Sequence, residues 1–222
     1  MKNATRLILF SLIFSILCLP LGGCIKTFDC SGYIQSMLDA TYKGELEGYA
    51  KATKSDLSDI EEDYRQFIEH ETEILLHFCG LTKDDMIPDD LVVQLREIVE
   101  NMCKQVRYSV KEADRNGNVD IDIEPLDIYN SVYKEFLDFN TQFTERNNNY
   151  EFEDYTDEEF TRAYLEPLIS ILKKQQDQLS YREPVTVKVV VAPDDDGRYT
   201  ISNEEVTQIY NTMINYTIDS AK

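Results

Sequence analysis

The 222-residue chain has no tryptophan, two histidines, eight glycines, six prolines and five cysteines. Each shortage removes something. With only His70 and His77, chemistry that relies on several imidazoles is out of reach. No glycine-rich loop is present to cradle a phosphate. Without tryptophan, any stacking on a sugar falls to the 14 tyrosines. Basic residues number 22 against 42 acidic ones, so nucleic acid and anionic headgroups are repelled. Long apolar runs are also missing. The longest, Leu7 to Leu19, makes ~20 Å of helix, short of a ~30 Å hydrocarbon core.

That run has a use of its own. Lys2 and Arg6 precede it and Pro20 ends it, the pattern of a secretory signal. The next four residues, Leu21-Gly22-Gly23-Cys24, resemble the lipobox of bacterial lipoproteins. The resemblance implies that residues 1–23 are a cleaved signal peptide. It also implies that Cys24 becomes the acylated first residue, carrying a diacylglycerol and fatty acids such as palmitate. The alternative is a plain signal with a coincidental cysteine. One chain binds a membrane marginally and several hold firmly, at ~0.8 kcal/mol per buried CH₂. Residues 24–30 are then anchor and linker, and the expected location is the extracytoplasmic face of the cell membrane. Five residues, Ile25 to Asp29, reach under ~20 Å, so the folded part is expected close to the bilayer.

Residues 1–23 hold two bases and no acid, so the chain from Cys24 onward has a net charge of −22. This charge suits a solvated surface, and leaves a cationic ligand, a surface protein or a small molecule as partner classes. Cys30, Cys79 and Cys103 are odd in number and lack metal-like spacing. Cys79 ends one expected helix and Cys103 lies about four turns into the next. In an antiparallel pair that is ~20 Å apart, beyond the ~7 Å limit for a disulfide. They read as small apolar residues of the core.

Apolar spacing predicts a helix from Ser31 to Ala40, weakened at Gly44 and Gly48, with a short continuation around Tyr49. A second helix opens near Ser55 or Ser58 and stops at Cys79-Gly80, and a third starts at Pro88. The period then becomes alternating. Val106, Tyr108 and Val110, the turn Asn116-Gly117, and Val119, Ile121 and Ile123 form a hairpin; a two-residue loop would set Val110 opposite Ile123. Pro125 opens a fourth helix, and Glu145 to Asp154 reads as a loop. Thr156 and Glu159 cap a fifth helix that Pro167 is expected to kink. Val185 to Val191 and Tyr199 to Ile201 make a second hairpin needing an odd loop or a bulge. Ser202 and Glu205 cap the last helix.

The two halves repeat an order of helix, hairpin and helix. Asn116-Gly117 precedes Asp196-Gly197 by 80 residues, and Ile128-Tyr129-Asn130 precedes Ile209-Tyr210-Asn211 by 81. Convergent patterning of unrelated amphipathic helices is the alternative to duplication. The expected fold is α+β and helix-rich: two related helix–β-hairpin–helix units, residues 31–145 and 146–222, packed as one compact body. The lipobox, the segment Tyr33-x-x-x-Met37-Leu38-Asp39-Ala40-x-Tyr42-Lys43-Gly44 and the two units resemble uncharacterised surface lipoproteins of Firmicutes. That resemblance implies surface location and a duplicated α+β domain, and carries over no catalytic residue.

Other chemistry fails at its spacing. His70, Glu73 and His77 share roughly one side of a helix, but Thr72-Glu73-Ile74 after Glu71 breaks the His-Glu-x-x-His pattern. In an EF-hand register with Gly117 or Gly197 at position six, position twelve is Ile123 or Asn203, so neither loop supplies the bidentate carboxylate. Carboxylate pairs are too common in so acidic a chain to signal acid–base catalysis. No catalytic residue, metal or cofactor is expected. The reading is a membrane-anchored ligand- or protein-binding module, with Cys24 its one assigned residue. The rival is an enzyme, or an enzyme-associated chaperone, with a carboxylate-based site. Clustered buried acids in one pocket would favour the rival, and a tyrosine-lined groove would favour binding.

Overall fold

A computed structural model describes residues 28–195 and 197–219. Helix α1 (Cys30–Leu38) starts where Asp29 accepts the Gly32 N–H and runs on as a π-helical turn, Asp39–Lys43, which Gly44 closes at φ +70°. Then follow α2 (Leu46–Thr53), α3 (Leu57–Phe78), α4 (Asp89–Cys103), β1 (Arg107–Val110), β2 (Asn118–Glu124) and α5 (Ile128–Asn148). The chain ends with α6 (Asp157–Gln175), β3 (Val185–Val190), β4 (Ala192–Pro193), β5 (Tyr199–Thr200) and α7 (Asn203–Met213). The body is α+β and helix-rich.

An antiparallel sheet in the order β1-β2-β3 lies on the helices. Side chains alternate across it. Val119, Ile121, Ile123, Val187 and Val189 are fully buried on the helix side. Asp120, Asp122 and Glu124 face outward and pair across strands: Lys188 with Asp120 at 2.8 Å, Lys111 with Asp122 at 2.9 Å, Arg107 with Glu124 at 3.3 Å. One apolar cluster runs through α1 to α7 and the sheet. Cys79 and Cys103 are buried free thiols within it, and Cys30 is a free thiol at its margin.

The hydrogen-bond ladder fixes which strand edges are open. Lys111 N–H donates to Asp120 O at 2.8 Å and Val191 N–H to Gly117 O at 2.9 Å. In an antiparallel ladder bonded pairs alternate. The outer edge of β3 is therefore formed by residues 184, 186, 188 and 190, and that of β1 by residues 108 and 110. The β3 edge is blunted. Pro184 has no N–H, Lys188 puts a charge there, and Glu205 Oε1 accepts the Val190 N–H at 2.6 Å. On β1, no side chain among the described residues accepts the outward N–H of Tyr108 or Val110.

Several sequence expectations need correction. Val110 lies opposite Ile121 and not Ile123, because the hairpin is centred between residues 115 and 116 and not between 116 and 117. The Asp114 carboxylate builds the turn, accepting the N–H groups of Asn116 at 2.7 Å and Asn118 at 3.0 Å. The shift is even, so the apolar faces survive. The stretch expected as a loop from Glu145 is helical to Asn148 and turns at Tyr150, φ +62°. Burial of Phe143 against Phe152, 4.7 Å between ring centroids, holds that last turn in place. The boundary expected at 145/146 thus falls inside α5. The second hairpin has the expected odd loop, five residues from 194 to 198, yet β4 and β5 pair over two residues only. Most of that strand, as β3, is hydrogen-bonded to β2 instead. Both capping boxes form, and Pro167 lies inside a single helix.

Gly117 and Gly197 both have positive φ, +80° and +75°. A Cβ at Gly117 would collide with the Val191 carbonyl, whereas at Gly197 it meets nothing within 4 Å. Gly197→Ala should cost about the ~1–2 kcal/mol of left-handed strain, and Gly117→Ala clearly more. Denaturant midpoints measure both; equal losses would contradict the close packing of Gly117 on β3's end.

Candidate functional site

An open depression of about 520 Å³ lies along β1. It is lined by Lys43, Val106, Arg107, Tyr108, Ser109, Asp122, Glu124 and Pro184. Three elements bring these residues together. The π-helical turn swings Lys43 toward the sheet; β1 supplies its unguarded edge; β2 contributes the two outward carboxylates. Such turns often mark functional positions.

The polar side of the groove is fixed by Asp39. Its carboxylate accepts from Lys43 Nζ and Gln35 Nε2, each at 2.8 Å, and from the Tyr108 hydroxyl at 2.6 Å. Burial opposes its charge, but the bonds from Lys43, Tyr108 and Gln35 outweigh burial and hold its pKa below the usual value. Burial and the bond to Asp39 push the Tyr108 phenol well up, so it stays a neutral donor. Lys43 Nζ also sits 4.4 Å from the Tyr108 ring centre, and the Arg107 guanidinium 3.7 Å from that of Tyr181. The groove therefore combines two cations on aromatic faces with two ion-paired acids. The Asp122 carboxyl, bonded by Lys111 and Thr186, lies below its ordinary pKa and stays ionised.

A second polar group is enclosed. Glu71 of α3 is fully buried and accepts from the hydroxyls of Tyr210 and Tyr216, each at 2.7 Å. Burial raises its pKa above 4.5 against the two tyrosine bonds, which lower it. The hydroxyl of Tyr129, buried beside it, has no hydrogen-bond partner among the described residues. Tyr216 is held over Glu71 by the chain after α7, where Asn215 N–H donates to Leu126 O at 2.8 Å and Arg182 pairs with Asp219 at 2.6 Å.

Neither a family model nor a curated protein matches the chain. Among solved structures, it is similar to the crystal structure of YcdA, a candidate lipoprotein of Bacillus subtilis, at 13% identity and a TM-score of 0.55. The likeness covers 85% of this chain and 57% of that one, so the chain spans little more than half of YcdA. The fold is shared.

Cys24 lies outside the described residues. His70 is half-buried, and burial pulls its pKa down; His77 is exposed, and Glu73 pairs with Lys83 at 3.4 Å. Among the described residues no three His, Cys, Asp or Glu side chains form a group that could hold a metal. In the two turns tested for an EF-hand register, Asp114 and Asp194 accept backbone N–H groups of their own turns. Sequence reasoning missed the groove. Its one local signal is Asp39-x-x-x-Lys43 just before Gly44, an i,i+4 ion pair at a helix end.

Glu71 gives a pH test. Its folded pKa is raised, so its contribution to stability is full below the unfolded value and is lost as pH rises from about 4.3 through the folded value. Glu71→Gln removes that loss while keeping an acceptor. The variant should gain on wild type in urea midpoint as pH rises from acid to neutral. A variant that loses ground to wild type over the same interval would refute the raised pKa.

Proposed function

We propose that the chain is a lipoprotein, held by acylated Cys24 on the extracytoplasmic face of a membrane. There it acts as a protein-binding module whose partner lays an extended segment along β1, in the Lys43–Arg107 groove. The observation that carries the binding reading is the unguarded edge. The N–H and C=O groups of Tyr108 and Val110 point away from β2, and Tyr108 lines the groove. Blunting of the β3 edge and not of β1 supports a partner at β1 specifically. A binding role is favoured over catalysis because the groove's acids are ion-paired and the buried acid, Glu71, stands between two tyrosines away from the groove lining. The anchor is supported by Leu21-Gly22-Gly23-Cys24 and by the shared fold with YcdA. No helix among the described residues is long and apolar enough to cross a membrane.

Cys24→Ala should block lipidation and leave the protein as uncleaved precursor or shed into the medium. Wild-type protein should partition into detergent and yield an acylated N-terminal peptide beginning at Cys24. An unmodified mature N-terminus elsewhere, in freely soluble protein, would sink the anchoring reading.

The groove has its own test. A photo-crosslinking residue at Ser109, in protein on intact cells, should capture a partner of discrete mass, and Arg107→Glu should abolish capture. The same label at exposed Lys54 should capture none. Equal capture at both positions would remove the groove from the proposal.

A further inference from the structure

The N-terminal end of the described chain is clamped, and the clamp sets which end of the body lies nearest Cys24. The Phe28 ring stacks on Tyr199 of β5, with centroids 4.0 Å apart and planes 3° from parallel. The Phe28 carbonyl accepts the Cys30 N–H at 3.0 Å, and Asp29 caps α1. Ser31 Oγ accepts the Ala113 N–H at 2.7 Å, and Gly117 O accepts the Val191 N–H at 2.9 Å. The start of α1, the Asp114–Asn118 turn and the β4–β5 hairpin therefore meet at one end of the sheet.

The groove is at the other end. β2 runs seven residues from Asn118, at the turn, to Glu124, which lines the groove, about 20 Å at ~3.3 Å per residue. The helical run from Cys30 to Lys43 covers a similar distance, beginning beside Gly117 and ending over Tyr108. Cys24 is four residues before Phe28, a reach of at most ~14 Å. A tether that short cannot pass along ~20 Å of sheet to bring the groove end down with the turn end away. Lying flat is opposed as well. A body of net charge −22 would press its acidic flanks on anionic headgroups.

We propose that the turn end, formed by the α1 N-terminus, the Asn116–Gly117 turn and the β4–β5 hairpin, faces the lipid bilayer, and that the Lys43–Arg107 groove opens away from it. This rests on the anchoring of Cys24 proposed above. The groove then stands where a soluble or neighbouring surface protein reaches it without displacing lipid, and Phe28–Tyr199 is the contact that transmits the anchor's position to the body.

The absence of tryptophan permits a direct test. Single reporters Asn116→Trp and Asp195→Trp mark the turn end, and Lys104→Trp, exposed just before the groove residue Val106, marks the other. Lipidated protein is placed on phosphatidylcholine–phosphatidylglycerol vesicles containing nitroxide-headgroup lipid, after mass spectrometry of its N-terminal peptide. The two turn-end reporters should lose most of their fluorescence and Lys104→Trp should keep most of its own. Equal quenching at both ends, or stronger quenching of Lys104→Trp, in protein that carries the acyl mass overturns the orientation and leaves the anchor standing. Absence of the acyl mass overturns both. Phe28→Ala should abolish the difference between the ends with acylation intact; a difference that persists removes the clamp.

Discussion

β2 has a hydrogen-bonded neighbour on each side, and its alternating residues divide the molecule into a dry and a wet face. Val119, Ile121 and Ile123 are fully enclosed by the helices, while Asp120, Asp122 and Glu124 are satisfied by cations from both neighbouring strands. A slip of one residue would bury three carboxylates and expose three branched side chains. The register is thus strongly specified. The same ladder, which bonds the backbone of β2 residues 120, 122 and 124 toward β1, leaves the backbone N–H and C=O groups of Tyr108 and Val110 facing away from β2.

What was legible in the sequence was local. Thr156 with Glu159, and Ser202 with Glu205, are three residues apart, and each helix begins where they indicate. Apolar spacing located α3 and α4, and Asn116-Gly117 located the first hairpin. What was not legible joins distant residues. Ile121 pairs with Val187 across 66 positions, and nothing near either names the other. The alternating run beginning at Val185 therefore looked like half of a second hairpin, although most of it completes the first sheet. The groove was hidden for the same reason. Tyr108 reaches Asp39 across 69 positions. Only the Asp39–Lys43 pair could be read locally, and an i,i+4 pair on a helix is commonplace.

Glu205 shows how few atoms separate folding from edge protection. Its Oε2 accepts the N–H and hydroxyl of Ser202, starting α7, while Oε1 accepts the outward N–H of Val190. The helix cap and the strand guard are one carboxylate. Glu71 shows the opposite economy. It is buried with two tyrosine donors, one of them on a tail with no regular structure of its own, so a costly interior charge depends on that tail remaining docked. The ties of Asn215 to Leu126 and of Arg182 to Asp219 keep Tyr216 in place over it.

The two ends of the sheet differ in their chemistry. At the turn end, side chains are spent on closing the backbone. Asp114 and Asp194 bond their own turns, Asp29 caps a helix, and Phe28 and Tyr199 stack on each other. At the far end, Lys43 and Arg107 lie over aromatic rings beside an unguarded strand, and the backbone of Tyr108 and Val110 remains to be satisfied. On the anchoring proposed above, attachment through Phe28 leaves that hydrogen-bonding capacity at the end remote from the lipid. Had the linker joined the body at Lys43, the β1 edge would face the anchor, where an incoming polypeptide segment has the least room to pair.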